Sequence, residues 1–312
     1  MRERPSLGFV GAGKVGSTLA RLWFRAGYRI AAVYSRDEAK ASALAALTGA
    51  AAVVSVEAVI EAADLTLLTV PDDVIAPLAA SIRTAALSGK SVIHTSGARN
   101  AETLLPLAER GAMIGSLHPA YPFADVETAL AGLPGATFAV EAEPPLRAWL
   151  EELARVLDGR VLVIPAGGKA IYHSAMVIVS NYTVTLYAIA ERLLTEIGAP
   201  REAADGALSV LLRGTTENLR VQGIPAALTG PLTRADVGTI HAHLRALHRL
   251  DPQVADLYRE LARLSLPMLA ARGVPTDSIR QVLEQEAQDA SDDTRYSEDE
   301  NRRGGDPHAD GL

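Results

Sequence analysis

The segment LGFVGAGKVGSTLARLWF, from Leu7 to Phe24, constrains the fold more than any other part of the chain. A short apolar run of strand type ends at Val10, and an Ala/Leu/Arg stretch of helical period begins a few residues later. Between them Gly11, Gly13 and Gly16 form G-x-G-x-x-G, the turn at which a parallel sheet binds a dinucleotide. Gly11 permits the tight bend, Gly13 lets a diphosphate approach the backbone, and Gly16 lets the helix lie close on the strand. The helix opens at Lys14 and Val15, whose amides have no intrahelical acceptor and face the phosphates.

The first half repeats this alternation of β-branched runs and helical segments. Strands are expected at Leu7–Val10, Ile30–Tyr34, Ala52–Val54, Leu65–Val70, Ser91–His94, Met113–Leu117, Thr137–Val140 and Val161–Ile164. After Pro165 the strand signal stops, and long helices follow, interrupted by Gly- and Pro-bearing breaks. The reading is an α/β protein: an N-terminal Rossmann domain with a doubly wound, mainly parallel sheet over residues 1–165, then an all-helical substrate and dimerisation domain over 166–289. Residues 290–312 are polar, nearly free of large apolar side chains, and expected to be a disordered tail.

The formal net charge of −7 argues against nucleic acid or an anionic membrane as partner and for a small molecule, while the helix after Lys169, apolar on nearly all sides, points to a homodimer through the C-terminal helices. The count of Cys is 0, so no disulfide, thiol nucleophile or thiolate metal site is available. No secretory signal opens the sequence and no apolar run is of membrane-spanning length, which predicts a cytoplasmic protein. His241 and His243 are two apart on a helix, not four, so no catalytic metal is expected.

The end of the second strand selects the dinucleotide. An acidic residue there bonds the ribose diol of NAD. This chain reads VYSRDEAK, placing the Ser35 hydroxyl and the Arg36 guanidinium where a 2′-phosphate lies, with Asp37 as the competing residue, so NADP is preferred to NAD. Ligands in such sheets sit outside the carboxyl ends of the strands. Thr69, Val70 and Pro71 follow the fourth strand and are expected on the cofactor, with Pro71 starting a helix. Ser96 follows the fifth in the cluster His94, Thr95, Ser96, Gly97, and His118 stands in a loop stiffened by the prolines flanking Tyr121.

The segments GAGKVG, TVPDD and SLHPAYPFAD, with a helical second half, resemble the NADP-dependent dehydrogenase superfamily of 6-phosphogluconate, hydroxyisobutyrate, prephenate and pyrroline-5-carboxylate oxidoreductases. More narrowly, SLHPAYPFAD, GKAIYHSAMVIVSNY and TGPLTRADVGTIHAHL resemble a bacterial family of Rossmann-like proteins whose C-terminal part is a domain of unknown function. The resemblance implies the fold and the cofactor and names no substrate. It gives His118 the place of the histidine that acts as base in prephenate dehydrogenases, without the glycine, glutamate and lysine that follow it there. With the glycines aligned, the resemblance puts His173 where the hydroxyacid dehydrogenase relatives carry their catalytic lysine and Val177 where they carry an asparagine, while Lys169 and Asn181 stand one turn outside.

PAGGKAIYHSAMVIVSNYTVTLYAIAERLLTEIG predicts one helix from Lys169 to Ile197, closed by Gly198. Lys169, one of four lysines, sits in its first turn, where the helix dipole disfavours a cation; His173 shares its face, and Asn181 would be a buried mid-helix amide in need of partners. Further on, Thr233 and Asp236 fit an N-cap pair, and Arg234 is left to hold an anionic group. Together these residues predict an oxidoreductase that moves hydride between NADP and a small, anionic hydroxyacid, alcohol or imine between the domains. His118 is the first choice to carry the proton, with His173 or Lys169 the second, and Ser96, Asn181 and Arg234 hold the substrate. The alternative is an NADP-binding regulatory or scaffold protein without turnover.

Overall fold

The computed structural model describes residues 4–83 and 87–285. The expected tail at 290–312 lies outside the described residues. Two compact units divide between Val184 and Thr185.

The first unit is built on an eight-stranded sheet: β1 (Leu7–Val10), β2 (Ile30–Tyr34), β3 (Ala51–Ala52), β4 (Leu65–Leu68), β5 (Ser91–His94), β6 (Met113–Pro119), β7 (Thr137–Ala142) and β8 (Arg160–Val163). Their order is β3-β2-β1-β4-β5-β6-β7-β8. Every neighbouring pair is parallel except β6 and β7, which run antiparallel. The chain builds outward from β1 on one side and returns to pair β4 on the other, so the topological switch, and with it the ligand crevice, falls between β1 and β4.

Helices α1 (Lys14–Arg25), α2 (Glu38–Thr48), α3 (Val56–Ala62), α4 (Asp72–Ser81), α5 (Leu105–Ala108), α6 (Val126–Gly132) and α7 (Leu146–Arg155) connect the strands. Strands β1, β4 and β5 are buried along their whole length, as a sheet covered on both faces requires. Alternate residues feed two separate cores. Leu7, Phe9, Leu65 and Leu67 join Trp23 on one face, whereas Val10, Leu68, Ile60 and Ile75 pack together on the other. Trp23 also donates its indole N–H to the Leu153 carbonyl at 2.9 Å, tying α1 to α7 in the buried layer.

Strand limits depart from expectation mainly at their ends. β3 is only two residues long, and β4 stops at Leu68, because Thr69 already turns back over the glycine loop. β6 runs two residues further than expected and takes in His118, paired with Ala139 of β7. Strand pairing, not a proline-stiffened loop, therefore fixes that histidine.

Helix α8 (Lys169–Val179) belongs to the first unit, where Tyr172 and Met176 pack on Ala139 and Ile164. The single helix expected from Lys169 to Ile197 is two: α8 ends at Val179, Ser180 is a turn residue that stays in the right-handed α region at φ −101 and ψ −65, and α9 (Asn181–Glu196) starts anew. Ser and Asn favour helix ends over interiors because their side chains compete for backbone groups, and here both stand at the junction. Asn181 is thus exposed at a helix start, not a buried mid-helix amide.

The second unit contains α10 (Arg201–Gln222), α11 (Val237–Leu250), α12 (Pro252–Ala270) and a helical stretch at 277–285. Its core is formed by Ile240 and Leu244 of α11, Ala262, Leu266 and Leu269 of α12, and Ile279 and Leu283. The N-cap before α11 is Asp236, whose carboxylate accepts from the Thr239 amide at 3.0 Å, not Thr233 as expected. Thr233 lies in a 3-10 turn and donates its hydroxyl to the Gly230 carbonyl. Among the described residues no helix is long and apolar enough to cross a membrane.

Candidate active site

The glycine turn leaves β1 and enters α1 as the spacing requires, and its three glycines have different reasons to lack a side chain. Gly11 has φ +109, a left-handed backbone, and a Cβ there would stand 2.6 Å from the Thr69 carbonyl oxygen. A Cβ on Gly16 would collide with the Gly11 carbonyl and come within 2.5 Å of the Thr69 hydroxyl oxygen. Both are demanded by the protein's own packing. Gly13 is not: its φ is −77, and a Cβ built there meets nothing within 4 Å. As N-cap of α1 it offers no side-chain cap, and the first turn of α1 carries no acidic residue but does carry Lys14. Open amides with a basic neighbour at a helix N-terminus fit an anion.

A cleft of about 360 Å³ opens on this turn, lined by Gly11, Gly13, Ser35, Arg36, Lys40 and Pro71 among others. Arg36 is exposed and has no ion pair among the described residues. Asp37, the residue competing for a ribose, is the N-cap of α2: its carboxylate accepts from the Lys40 amide at 3.2 Å and pairs with the Lys40 ammonium at 3.0 Å. These bonds hold its carboxyl below the usual range. Ser35 accepts from the Asp37 amide at 3.3 Å. Lys40 adds a cation to this edge that the sequence reading overlooked, although its place one turn into α2 was a signal for it. Pro71 is the N-cap of α4, so the helix begins at Asp72, one residue later than expected.

Thr69 and Val70 also border a second cleft of about 230 Å³, with Val15, Asp72, Ser96, Gly97, His118 and His173 in its wall. Thr69 braces the turn between the two clefts by donating its hydroxyl to the Gly11 carbonyl at 2.7 Å. Gly97 separates the two histidines: a Cβ there would lie 2.6 Å from Cδ2 of His173 and 2.9 Å from Nε2 of His118. The rings stand edge to face, 6.4 Å between centroids. No Lys or Arg lines this cleft, and Asp72 is its one carboxylate among the described residues.

A buried polar layer supports the wall. Lys169 is 0% exposed and donates its ammonium to the Ser96 carbonyl at 2.7 Å. Burial draws its pKa down to about 8, against the pull of Glu141 and Asp72. The Ser96 hydroxyl accepts from the Ala98 and Arg99 amides at 3.2 and 3.0 Å, and the Ser96 amide donates to Nδ1 of His94 at 3.3 Å. His94 must then carry its proton on Nε2, which donates to the Asn100 carbonyl at 3.1 Å. Burial holds His94 neutral, with a pKa of about 4. Glu141 accepts from the Ala101 amide at 2.9 Å, and burial raises its carboxyl.

His118 bonds through Nδ1 to the Tyr172 hydroxyl at 2.8 Å. Desolvation first, then the nearby Lys169 cation, His173 and His94, push its pKa down to about 3, while burial pushes the Tyr172 phenol up to about 12. The structure therefore gathers Ser96, His118, Lys169 and His173 at one place. Asn181 lines neither cleft, and Arg234 is an exposed residue of the second unit, at the end of its 3-10 turn. Tyr172 and Glu141 went unnoticed in the sequence. Tyr172 lay in a helix apolar all round, and Glu141 in a stretch that read as the exit from β7.

The fold and the turn define a dinucleotide-binding protein of the Rossmann class. A family model described as a Rossmann-like domain matches residues 1–119, and one described as a domain of unknown function, DUF2520, matches residues 136–265. The chain thus matches the two models one after the other along its length. Among solved structures it is 27% identical to a candidate NADP oxidoreductase from Bacteroides fragilis, over 83% of this chain and 96% of that one, with a TM-score of 0.64. A reductive aminase from Aspergillus terreus in complex with NADPH and ethyl levulinate is 16% identical, covering 93% and 95% at a TM-score of 0.60. An imine reductase variant from Myxococcus stipitatus in complex with NAD+ is 20% identical, covering 91% and 100%, also at 0.60. The last two likenesses establish the fold alone. No curated protein matches the chain in sequence.

Proposed function

We infer that the chain is an NADP-dependent oxidoreductase acting on a small substrate with a polarised C=O or C=N bond. The observation that carries this reading is Gly13, a position where the protein itself leaves room for a side chain and the sequence supplies none. A bound diphosphate accounts for it: the amides of Lys14, Val15 and Gly16 would hold the phosphates, with Ser35, Arg36 and Lys40 around the 2′-phosphate. The name of the Bacteroides relative supports the same cofactor and reaction class. When bound, NADPH supplies hydride, and reduction of a C=O or C=N bond then needs one proton at the oxygen or nitrogen.

The wall of the second cleft divides the remaining work. His118, with a pKa of about 3, is too weak a base to hold a proton near neutrality, and the Lys169 ammonium is turned to Ser96 beneath the surface. His173, half-buried at the same wall, is the residue that carries the proton. Ser96 shapes the turn, its hydroxyl oxygen accepting from two amides and its carbonyl from the Lys169 ammonium. An anionic substrate fits poorly, because among the described residues no Lys or Arg lines the cleft and Asp72 would repel a carboxylate. Uncharged ketones, aldehydes and imines suit it better.

Strongly exposed apolar residues such as Ile171 and Val179 on α8, and Val210 and Leu211 on α10, support a homodimer through the C-terminal helices; equilibrium sedimentation tests it. The test of function is loss of NADPH absorbance with a panel of small ketones and cyclic imines. Turnover that disappears in His173→Ala while NADPH still binds supports the enzyme. Tight NADPH binding with no turnover on any substrate favours a regulatory protein.

A further inference from the structure

His118 faces the cleft with one edge of its ring and the buried polar layer with the other. Its Nε2 edge lies against Gly97, a residue of the cleft wall, and its Nδ1 edge meets the Tyr172 hydroxyl at 2.8 Å, the rings being 79° apart. We propose that Tyr172 is a positioning residue whose hydroxyl donates to Nδ1 of His118, fixing the neutral imidazole with its proton on Nε2 so that a hydrogen-bond donor, not a base, is presented to the cleft.

Donor counting decides the direction of that bond. A phenol has one proton to give, and a buried one needs an acceptor. For the Tyr172 hydroxyl the only acceptor among the described residues is Nδ1 of His118. The Lys169 ammonium, 5.6 Å from the centre of the Tyr172 ring, is itself a donor and already bonded to the Ser96 carbonyl. Were Nδ1 to carry the proton instead, the Tyr172 O–H would be left without a partner in a residue only 8% exposed. A doubly protonated ring is disfavoured by burial first, and then by the same Lys169 cation. His94, one strand away, sets a precedent in this layer: its Nδ1 accepts from the Ser96 amide and its proton sits on Nε2.

The consequence for chemistry rests on the oxidoreductase reading. An Nε2–H donor can bond the lone pair of a carbonyl oxygen or an unprotonated imine nitrogen and polarise the double bond, without itself giving up a proton. It cannot abstract a proton from an alcohol. His118 then differs in role from the catalytic base that its HP motif suggests.

The tautomer is measurable without any substrate. In full-length protein labelled with ¹⁵N-histidine, two-bond couplings between ring protons and nitrogens report which nitrogen is protonated, and a His118→Gln sample assigns the signal among the seven histidines. The wild type is expected to show a single neutral Nε2–H form for His118, and Tyr172→Phe, which keeps the ring and removes the hydroxyl, a mixture of both tautomers. An Nδ1–H form in the wild type would overturn the proposal, and so would an unchanged single Nε2–H form in a folded Tyr172→Phe. Should that variant fail to fold, the wild-type spectrum alone still decides. NADPH titration of the same samples separates this result from the oxidoreductase reading, since loss of cofactor binding would strike that reading and leave the tautomer untouched.

Discussion

Replacing Gly13 by alanine separates the demands of the fold from those of a ligand. The position has φ −77 and ψ −170, an extended conformation open to any residue, and the added methyl meets no atom within 4 Å. Alanine is a poorer N-cap than glycine, a loss of about 0.5–1 kcal/mol. It also lowers the entropy of the unfolded chain, a gain of about 0.4–1 kcal/mol. The two nearly cancel, so the melting temperature should move by no more than about 2 °C. Bound diphosphate, however, must approach the backbone where the methyl now stands. Overpacking of this kind costs about 1–3 kcal/mol, which is roughly a 5- to 150-fold loss of NADPH affinity. Gly16→Ala is the contrasting control: its methyl strikes the Gly11 carbonyl and the Thr69 hydroxyl, so that variant should lose stability even without ligand. Differential scanning calorimetry and fluorescence titration with NADPH read both quantities. A Gly13→Ala protein that binds NADPH like the wild type, or that is destabilised as much as Gly16→Ala, refutes the reasoning.

Further outcomes follow from the same geometry. Arg36→Ala should weaken NADPH by about 10- to 100-fold, the worth of a charged hydrogen bond, and leave NADH unchanged in parallel titrations. Gly97→Ala places a methyl 2.6 Å from Cδ2 of His173 and 2.9 Å from Nε2 of His118, so turnover should fall by ~10-fold or more while NADPH affinity holds, as initial rates and titration will show. Acid should destabilise the fold early. His94 and His118 have folded pKa values of about 4 and 3 against an ordinary 6.5, so the unfolded chain binds more protons as pH falls below 6.5. Stability is full above that value and should drop by about 1.4 kcal/mol per pH unit for each histidine on the way to pH 4, measured by urea unfolding; a flat profile from pH 6.5 to 5 contradicts their burial as neutral rings.

Most of the first unit could be read from sequence because its signals are local. Strands buried on both faces give unbroken apolar runs, and the glycine turn sits between two elements of opposite period. The side chains at the strand ends were legible as well, since the topology itself places ligands there. What escaped depends on contacts across the chain. The antiparallel turn of β7 follows from pairing with β6, which no local pattern encodes. Lys169 read as a second-choice proton carrier in the site, and only the fold shows its ammonium turned to the Ser96 carbonyl, 73 positions earlier in the chain, at 2.7 Å. The partnership of His118 with Tyr172 joins a strand to a helix 54 residues on, and it changes the chemistry assigned to the histidine. The break at Ser180 was hidden because apolar residues on both sides masked two weak helix formers.

Isothermal titration of the full chain with NADPH and, separately, NADH tests the central claim most directly. The arrangement of Gly13, Ser35, Arg36 and Lys40 predicts saturable binding of NADPH, at least ~10-fold tighter than NADH, from one charge-assisted contact to the 2′-phosphate. Folded protein that takes up neither nucleotide, or that binds NADH as tightly as NADPH, would contradict it.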